Sequence, residues 1–189
     1  MNKLSWFAIA VVTGVTGLAI AGPAPAAPAA MPAMPKPPSQ VTDLIKSASG
    51  RWACSGTVDG ASGPKFTATM TAKGDLDGMW MHDSFVGKVG EGKTAQPFKL
   101  ESYTTYNPGT SKWQRTLVDS TGMVATGTSD GMKDMKEQYD LTSWSEHGEA
   151  TLREHVDASD LKKGMHVWGE VSADKGKTWM PVYDMICKR

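Results

Sequence analysis

The chain has only two cysteines in 189 residues, so neither a disulfide-dense scaffold nor a four-cysteine metal site can be built from it. It has no surplus of either charge. Its 20 basic residues face 20 acidic ones, which removes the electrostatic footprint of a nucleic-acid-binding protein. Beyond residue 21 no apolar run approaches the roughly 20 residues that a membrane-spanning helix needs. Gly-x-Ser-x-Gly, the phosphate-binding glycine loop and His-Glu-x-x-His are all missing, so no motif calls for a hydrolase, nucleotide or zinc-protease site. Helical periodicity is confined to one short segment.

What is present begins with a targeting pattern. Lys3, the apolar stretch Trp6 to Ile20 and the small-x-small tripeptide Ala19-Ile20-Ala21 match a bacterial Sec-type signal peptide over residues 1–21. No cysteine directly follows it to carry a lipid anchor. Residues 22–40 are almost entirely Ala, Pro and Met, with prolines at Pro23, Pro25, Pro28, Pro32, Pro35, Pro37 and Pro38, a composition that predicts an extended, disordered tether. Residues 41–189 remain for a single folded domain. The expected product is periplasmic or secreted, with no membrane span once the signal is removed.

In an exported chain an even pair of cysteines predicts a disulfide, here between Cys54 and Cys187. The two stand near opposite ends of the domain, so a bond between them makes the first and last strands neighbours. Val41 to Ser49 reads as a short helix, with Thr42 or Ser39 as its cap and Gly50 as its stop. After it, polar and apolar residues alternate with period two, most cleanly from Lys65 to Lys73, where Phe66, Ala68, Met70 and Ala72 share one face.

Further strands are predicted over Arg51 to Val58, Met79 to Val86, Phe98 to Tyr106, Lys112 to Asp119, Met123 to Thr128, Glu137 to Trp144, Ala150 to Asp157, Met165 to Ser172 and Thr178 to Cys187. Turn pairs such as Asp59-Gly60, Asp77-Gly78, Thr121-Gly122 and His147-Gly148 separate them. The fold class expected is all-β: an up-and-down antiparallel β-barrel of about ten strands with a short N-terminal helix, a β-sandwich being the alternative. Ser172-Ala173-Asp174-Lys175-Gly176-Lys177-Thr178-Trp179 fits the Asp-box hairpin of sialidase-type propellers, where it is structural. A single copy predicts a tight hairpin and no sialidase activity.

The stretches Gly50-Arg51-Trp52-Ala53-Cys54-Ser55-Gly56, Leu76-Asp77-Gly78-Met79-Trp80, Tyr106-Asn107 with Trp113-Gln114-Arg115 and Asp119-Ser120, and Trp179 with Cys187-Lys188-Arg189 resemble exported bacterial proteins of the domain of unknown function 1579 family. That group is similar to lipocalin-like (calycin) barrels. The resemblance covers Val41 to Arg189 and implies a lipocalin-like fold; its motifs are glycines, tryptophans and turn residues, and they imply no activity.

A barrel of this type predicts non-covalent binding of a small apolar or amphipathic molecule, with Trp80, Tyr103, Trp113, Tyr139, Trp168 and Tyr183 as candidate wall aromatics. Arg115 shares parity with Trp113 and Leu117, so a face that buries them buries the guanidinium too. It then anchors a ligand carboxylate or pairs internally with Glu154, which shares parity with Leu152 and Val156. His82, beside Trp80, is a further pocket candidate and, with His166, a possible haem ligand. Met79, Met81 and His82 suggest soft-metal chemistry, but alternation sends them to opposite faces.

His155 and His166 offer a cross-strand pair without a third ligand, so no metal site and no cofactor is expected. Glu146-His147 and Glu154-His155 point to opposite faces and cannot share a proton, which leaves Asp83 with Glu101 as the remaining acid pair for a hydrolase or isomerase. The alternative to a binder is a ligand-free structural or envelope protein whose barrel is filled by its own Met, Trp and Tyr side chains. Interior volume separates the two.

Overall fold

The structure, a computed structural model, describes residues 34–189. The expected signal peptide and most of the expected tether lie outside the described residues. Helix α1 (Ser39–Ala48) is followed by β1 (Gly50–Val58), β2 (Lys65–Asp75), β3 (Trp80–Val89), β4 (Gln96–Asn107), β5 (Lys112–Asp119), β6 (Val124–Ser129), β7 (Lys136–Ser145), β8 (Gly148–Asp157), β9 (Met165–Ser172) and β10 (Met180–Lys188). Every strand pairs antiparallel with its sequence neighbour, and β1 pairs with β10, so the sheet closes into a ten-strand barrel. The alternative of two packed sheets is thereby excluded.

Closure occurs where the cysteines predict it. Cys54 and Cys187 are direct partners in the β1–β10 register and are joined by a disulfide of 2.03 Å. Both are buried, on the face that also carries Trp52 and Met185. A closed sheet leaves no unpaired edge for another chain to extend, and here the link spans the seam between its two terminal strands.

Several strands run slightly longer than the sequence suggests, while β5 and β9 keep the expected bounds and β10 starts two residues later. β3 continues through Gly87 to Val89 because Gly87 pairs with Ala68. A Cβ at Gly87 would stand 2.1 Å from the Thr67 carbonyl oxygen, so this glycine lets neighbouring backbones approach instead of ending the strand.

Helix α1 begins at Ser39, inside the segment expected to be tether, and neither Ser39 nor Thr42 caps it. Pro38 takes the cap position, and the Thr42 hydroxyl donates back to the Pro38 carbonyl at 3.3 Å. Val41 is fully buried, and Leu44, Ile45 and Ala48 pack on the cluster that contains Trp52, Met70 and Met81. The helix end is held from across the seam: Arg189 Nη2 donates to the Ser47 carbonyl at 2.6 Å, and its guanidinium lies 4.3 Å over the Trp52 ring. Trp52 Nε1 in turn donates to the Ala48 carbonyl at 3.1 Å. Backbone oxygens that the helix cannot satisfy are thus given partners.

The Asp-box hairpin forms as expected. Asp174 Oδ1 accepts the Lys177 and Thr178 amides at 3.0 and 2.9 Å, and Gly176 sits at φ 85° beneath the Trp179 ring. These hydrogen bonds, led by the Thr178 amide, hold the Asp174 carboxyl down at about 2.

Candidate functional site

Inward parity places apolar side chains on nearly every strand, yet they do not fill the barrel. A cavity of about 830 Å³ occupies its interior, walled chiefly by side chains such as Phe66, Phe85, Phe98, Leu100, Leu117 and Leu152. Cavities of about 300–1,000 Å³ are the usual size for small-molecule sites. Antiparallel order fixes what lies at each end. α1 and the β6–β7 and β8–β9 connections share one end, where Leu44 and Ala48 of the helix meet the cavity and Met132, Met135 and Leu161 line it while half exposed. Met180 and Met123 line the opposite end.

One polar cluster interrupts the apolar wall. Arg115 on β5 reaches Glu154 on β8, with Nε 3.0 Å from Oε1, and Asp83 on β3 lies 3.9 Å from its Nη2. These strands are not neighbours in the sheet, so the ion pair crosses the lumen. Arg115 Nη1 donates to the Thr104 hydroxyl at 3.3 Å, the Ser102 hydroxyl donates to Asp83 Oδ2 at 3.1 Å, and the guanidinium stands 5.3 Å from the Tyr139 ring centre. Tyr183 donates to Glu154 Oε2 at 2.5 Å.

Gly169 makes that last contact possible. It pairs with both Glu154 and Tyr183, and any Cβ there would fall 2.6 Å from the tyrosine ring. Glu137, on the inward face of β7 with Tyr139, completes the acidic side of the cluster and lines the cavity.

Burial sets the protonation of these groups. It pushes the Asp83 carboxyl up, with Arg115 and the Ser102 hydroxyl offsetting it only in part. Glu137 is raised for the same reason, with the Ser129 and Tyr139 hydroxyls offsetting it only in part. Burial opposes the charge on Arg115, but Glu154 and Asp83 outweigh it, and the guanidinium is held more firmly protonated than usual. The Tyr139 and Tyr183 hydroxyls are pushed well up, by burial first and then by Glu137 and Glu154 respectively. Such a cluster can orient a polar ligand group.

No family model and no curated protein matches this chain. The resemblance to the domain of unknown function 1579 family and the lipocalin assignment therefore rest on the quoted residues alone, and what stands is the ten-strand barrel. Among solved structures the chain is similar to one titled "De novo design of a fluorescence-activating beta barrel", at 12 % identity and TM-score 0.39, over 60 % of this chain and 94 % of that one. At that level the likeness carries nothing about ligand or activity.

Of the residues singled out from sequence, Arg115, Tyr139, Glu154 and Tyr183 line the cavity. Both sequence readings of Arg115 meet there, since it is paired with Glu154 and also faces the lumen. Trp113 has inward parity and packs against the cluster of Leu117 and Tyr139, but it lies beyond the cavity wall. Trp80, His82, Tyr103 and Trp168 are on the outer face, because Met81, Asp83 and Phe85 on β3, Ser102 and Thr104 on β4, and Val167 on β9 take the buried parity.

There His82 stacks on Tyr103 at 4.5 Å, with Nε2 2.6 Å from Glu101 Oε2. His155 and His166 both stack on Trp168, at 4.7 and 4.5 Å. Haem ligation by His82 or His166 inside the barrel is excluded by that placement. Asp83 and Glu101 do not meet, for one faces the lumen and the other the outer surface. Among the described residues no group of three His, Cys, Asp or Glu side chains has metal-binding geometry.

Sequence reasoning missed Glu137 as a site residue, along with Trp52, Phe66 and Phe98 as wall. The signal existed: Glu137 shares parity with Tyr139 and Leu141, both buried.

Proposed function

We propose that the barrel binds a small apolar or amphipathic molecule non-covalently in its interior. The observation that carries this reading is the cavity of about 830 Å³, whose apolar wall gives way to one cluster of polar groups. Apolar burial supplies affinity, at roughly 25 cal/mol per Å² removed from water, and the cluster supplies orientation. A barrel packed solid with its own Met, Trp and Tyr side chains, the alternative from sequence, would leave no such space. The half-exposed Met132, Met135 and Leu161 supply an apolar rim past which a tail can enter.

The disulfide fits an extracytoplasmic setting, and no helix among the described residues is long and apolar enough to cross a membrane. The periplasmic or secreted location, and the lipocalin-like relationship, belong to this proposal. Titration with the uncharged fluorophore N-phenyl-1-naphthylamine tests it. The expected result is a saturable rise in emission with one site per chain, reversed by dodecanol. A linear, non-saturating response would reject the reading.

A further inference from the structure

We propose that the polar head seated in this cavity is a protonated amine, so that the ligand is a cationic amphiphile; the inference rests on the binding reading above. Six carboxyl side chains line the cavity against one guanidinium, that of Arg115; Asp59, Asp119 and Glu149 are three of them, and Asp83, Glu137 and Glu154 belong to the polar cluster around Arg115. That cation is already engaged: Glu154 lies 3.0 Å from its Nε, Asp83 lies 3.9 Å from its Nη2, and Thr104 accepts from Nη1. Glu137 forms no ion pair among the described residues.

An unused acceptor points the same way. Glu154 Oε1 is taken up by Arg115 Nε at 3.0 Å, but the buried Oε1 of Glu137 lacks a donor. An ammonium group brings three donors and no acceptor, which suits that carboxyl oxygen. A ligand carboxylate would bring a fourth acid to a single guanidinium, where like charges in a poorly solvated space repel. An alcohol would donate once and leave the charge imbalance as it was.

The tail has a matching path. Glu137 is the second residue of β7, at the barrel end that carries Met132, Met135 and Leu161, while Phe66, Phe85, Phe98 and Leu100 lie deeper along the wall. The raised carboxyl groups of Asp83 and Glu137 agree, since burial without enough cations is what lifts them.

The test uses three ligands with one tail. Dodecylamine, dodecanol and dodecanoate displace N-phenyl-1-naphthylamine from the folded protein near neutral pH, each below its aggregation threshold. Dodecylamine is expected to bind at least about tenfold tighter than dodecanol, a difference of about 1.4 kcal/mol, with dodecanoate weakest. Glu137→Gln and Asp83→Asn should each weaken dodecylamine several-fold, whereas Glu170→Gln on the outer face should not. Dodecanoate or dodecanol matching dodecylamine would overturn the inference and leave the binding reading intact. Failure of the fluorophore itself to bind would remove the binding reading instead. The ligand ranking needs no variant, so it decides the matter even if a substitution prevents folding.

Discussion

Reducing the Cys54–Cys187 bond should cost the domain a large share of its stability. All other strand pairs are joined by hairpin connections, whereas β1 and β10 meet across a sequence separation of 133 residues. Without the link, the unfolded chain regains the freedom that a loop of this length loses on closure, worth about 5 kcal/mol at 25 °C on chain-entropy grounds. Set against the roughly 5–15 kcal/mol that holds a whole domain together, that is decisive.

For a domain of this size, at about 2–4 °C per kcal/mol, the melting temperature should fall by about 10–20 °C. Both sulfurs are buried, so reduction requires unfolding in urea with reductant, followed by refolding with reductant kept present. Oxidised and reduced protein then differ in the link alone, a cleaner comparison than a double alanine variant, which also removes two packed side chains. Urea titrations of the two forms provide the measurement. Midpoints equivalent to less than about 1 kcal/mol of difference would refute the reasoning, because the unfolded ensemble would have to hold its ends together unaided.

The lumen-crossing ion pair should behave as a coupled unit. Arg115→Met or Glu154→Met alone should lose about 3–5 kcal/mol in urea unfolding, because each strips a buried charge of its nearest opposite charge, while the double variant should lose less than either; additive losses would refute the coupling. The pH profile follows from the directions of the shifts. Asp83 and Glu137 are raised, so their contribution is fully present below their ordinary values of about 4 and is lost as pH rises through the folded values. Thermal scans should show stability declining towards neutral pH, and Glu137→Gln should flatten the decline; an unchanged slope would count against a buried Glu137. Asp157 and Asp174 are lowered to about 2, so their support is present above about 4 and lost as pH falls towards 2. Asp174→Asn should shrink that acid-side loss.

Period-two alternation and turn chemistry made the strands legible because both are local. The closing pair was legible only through the cysteines, which carry long-range information. Inside and outside were harder to separate. On β2 the apolar parity is unambiguous, and the buried face follows. On β4 the inward residues include Ser102 and Thr104, so the buried face looks wet in sequence, while Tyr103 outside looks like wall. Those hydroxyls are tolerated because Asp83 and Arg115 lie within hydrogen-bonding reach on adjacent strands, a partnership set by register and invisible to single-strand periodicity. The same logic separates Arg115 and Glu154, found by parity with apolar neighbours, from Trp80 and Trp168, chosen for being aromatic.

The contact between Arg189 and the end of α1 has a practical side. A residue that follows the final strand supplies the donor for the Ser47 carbonyl, so the helix beside one barrel mouth is latched by the far end of the strand order. Fusing an affinity handle or reporter directly after Arg189 would crowd that latch and loosen the helix.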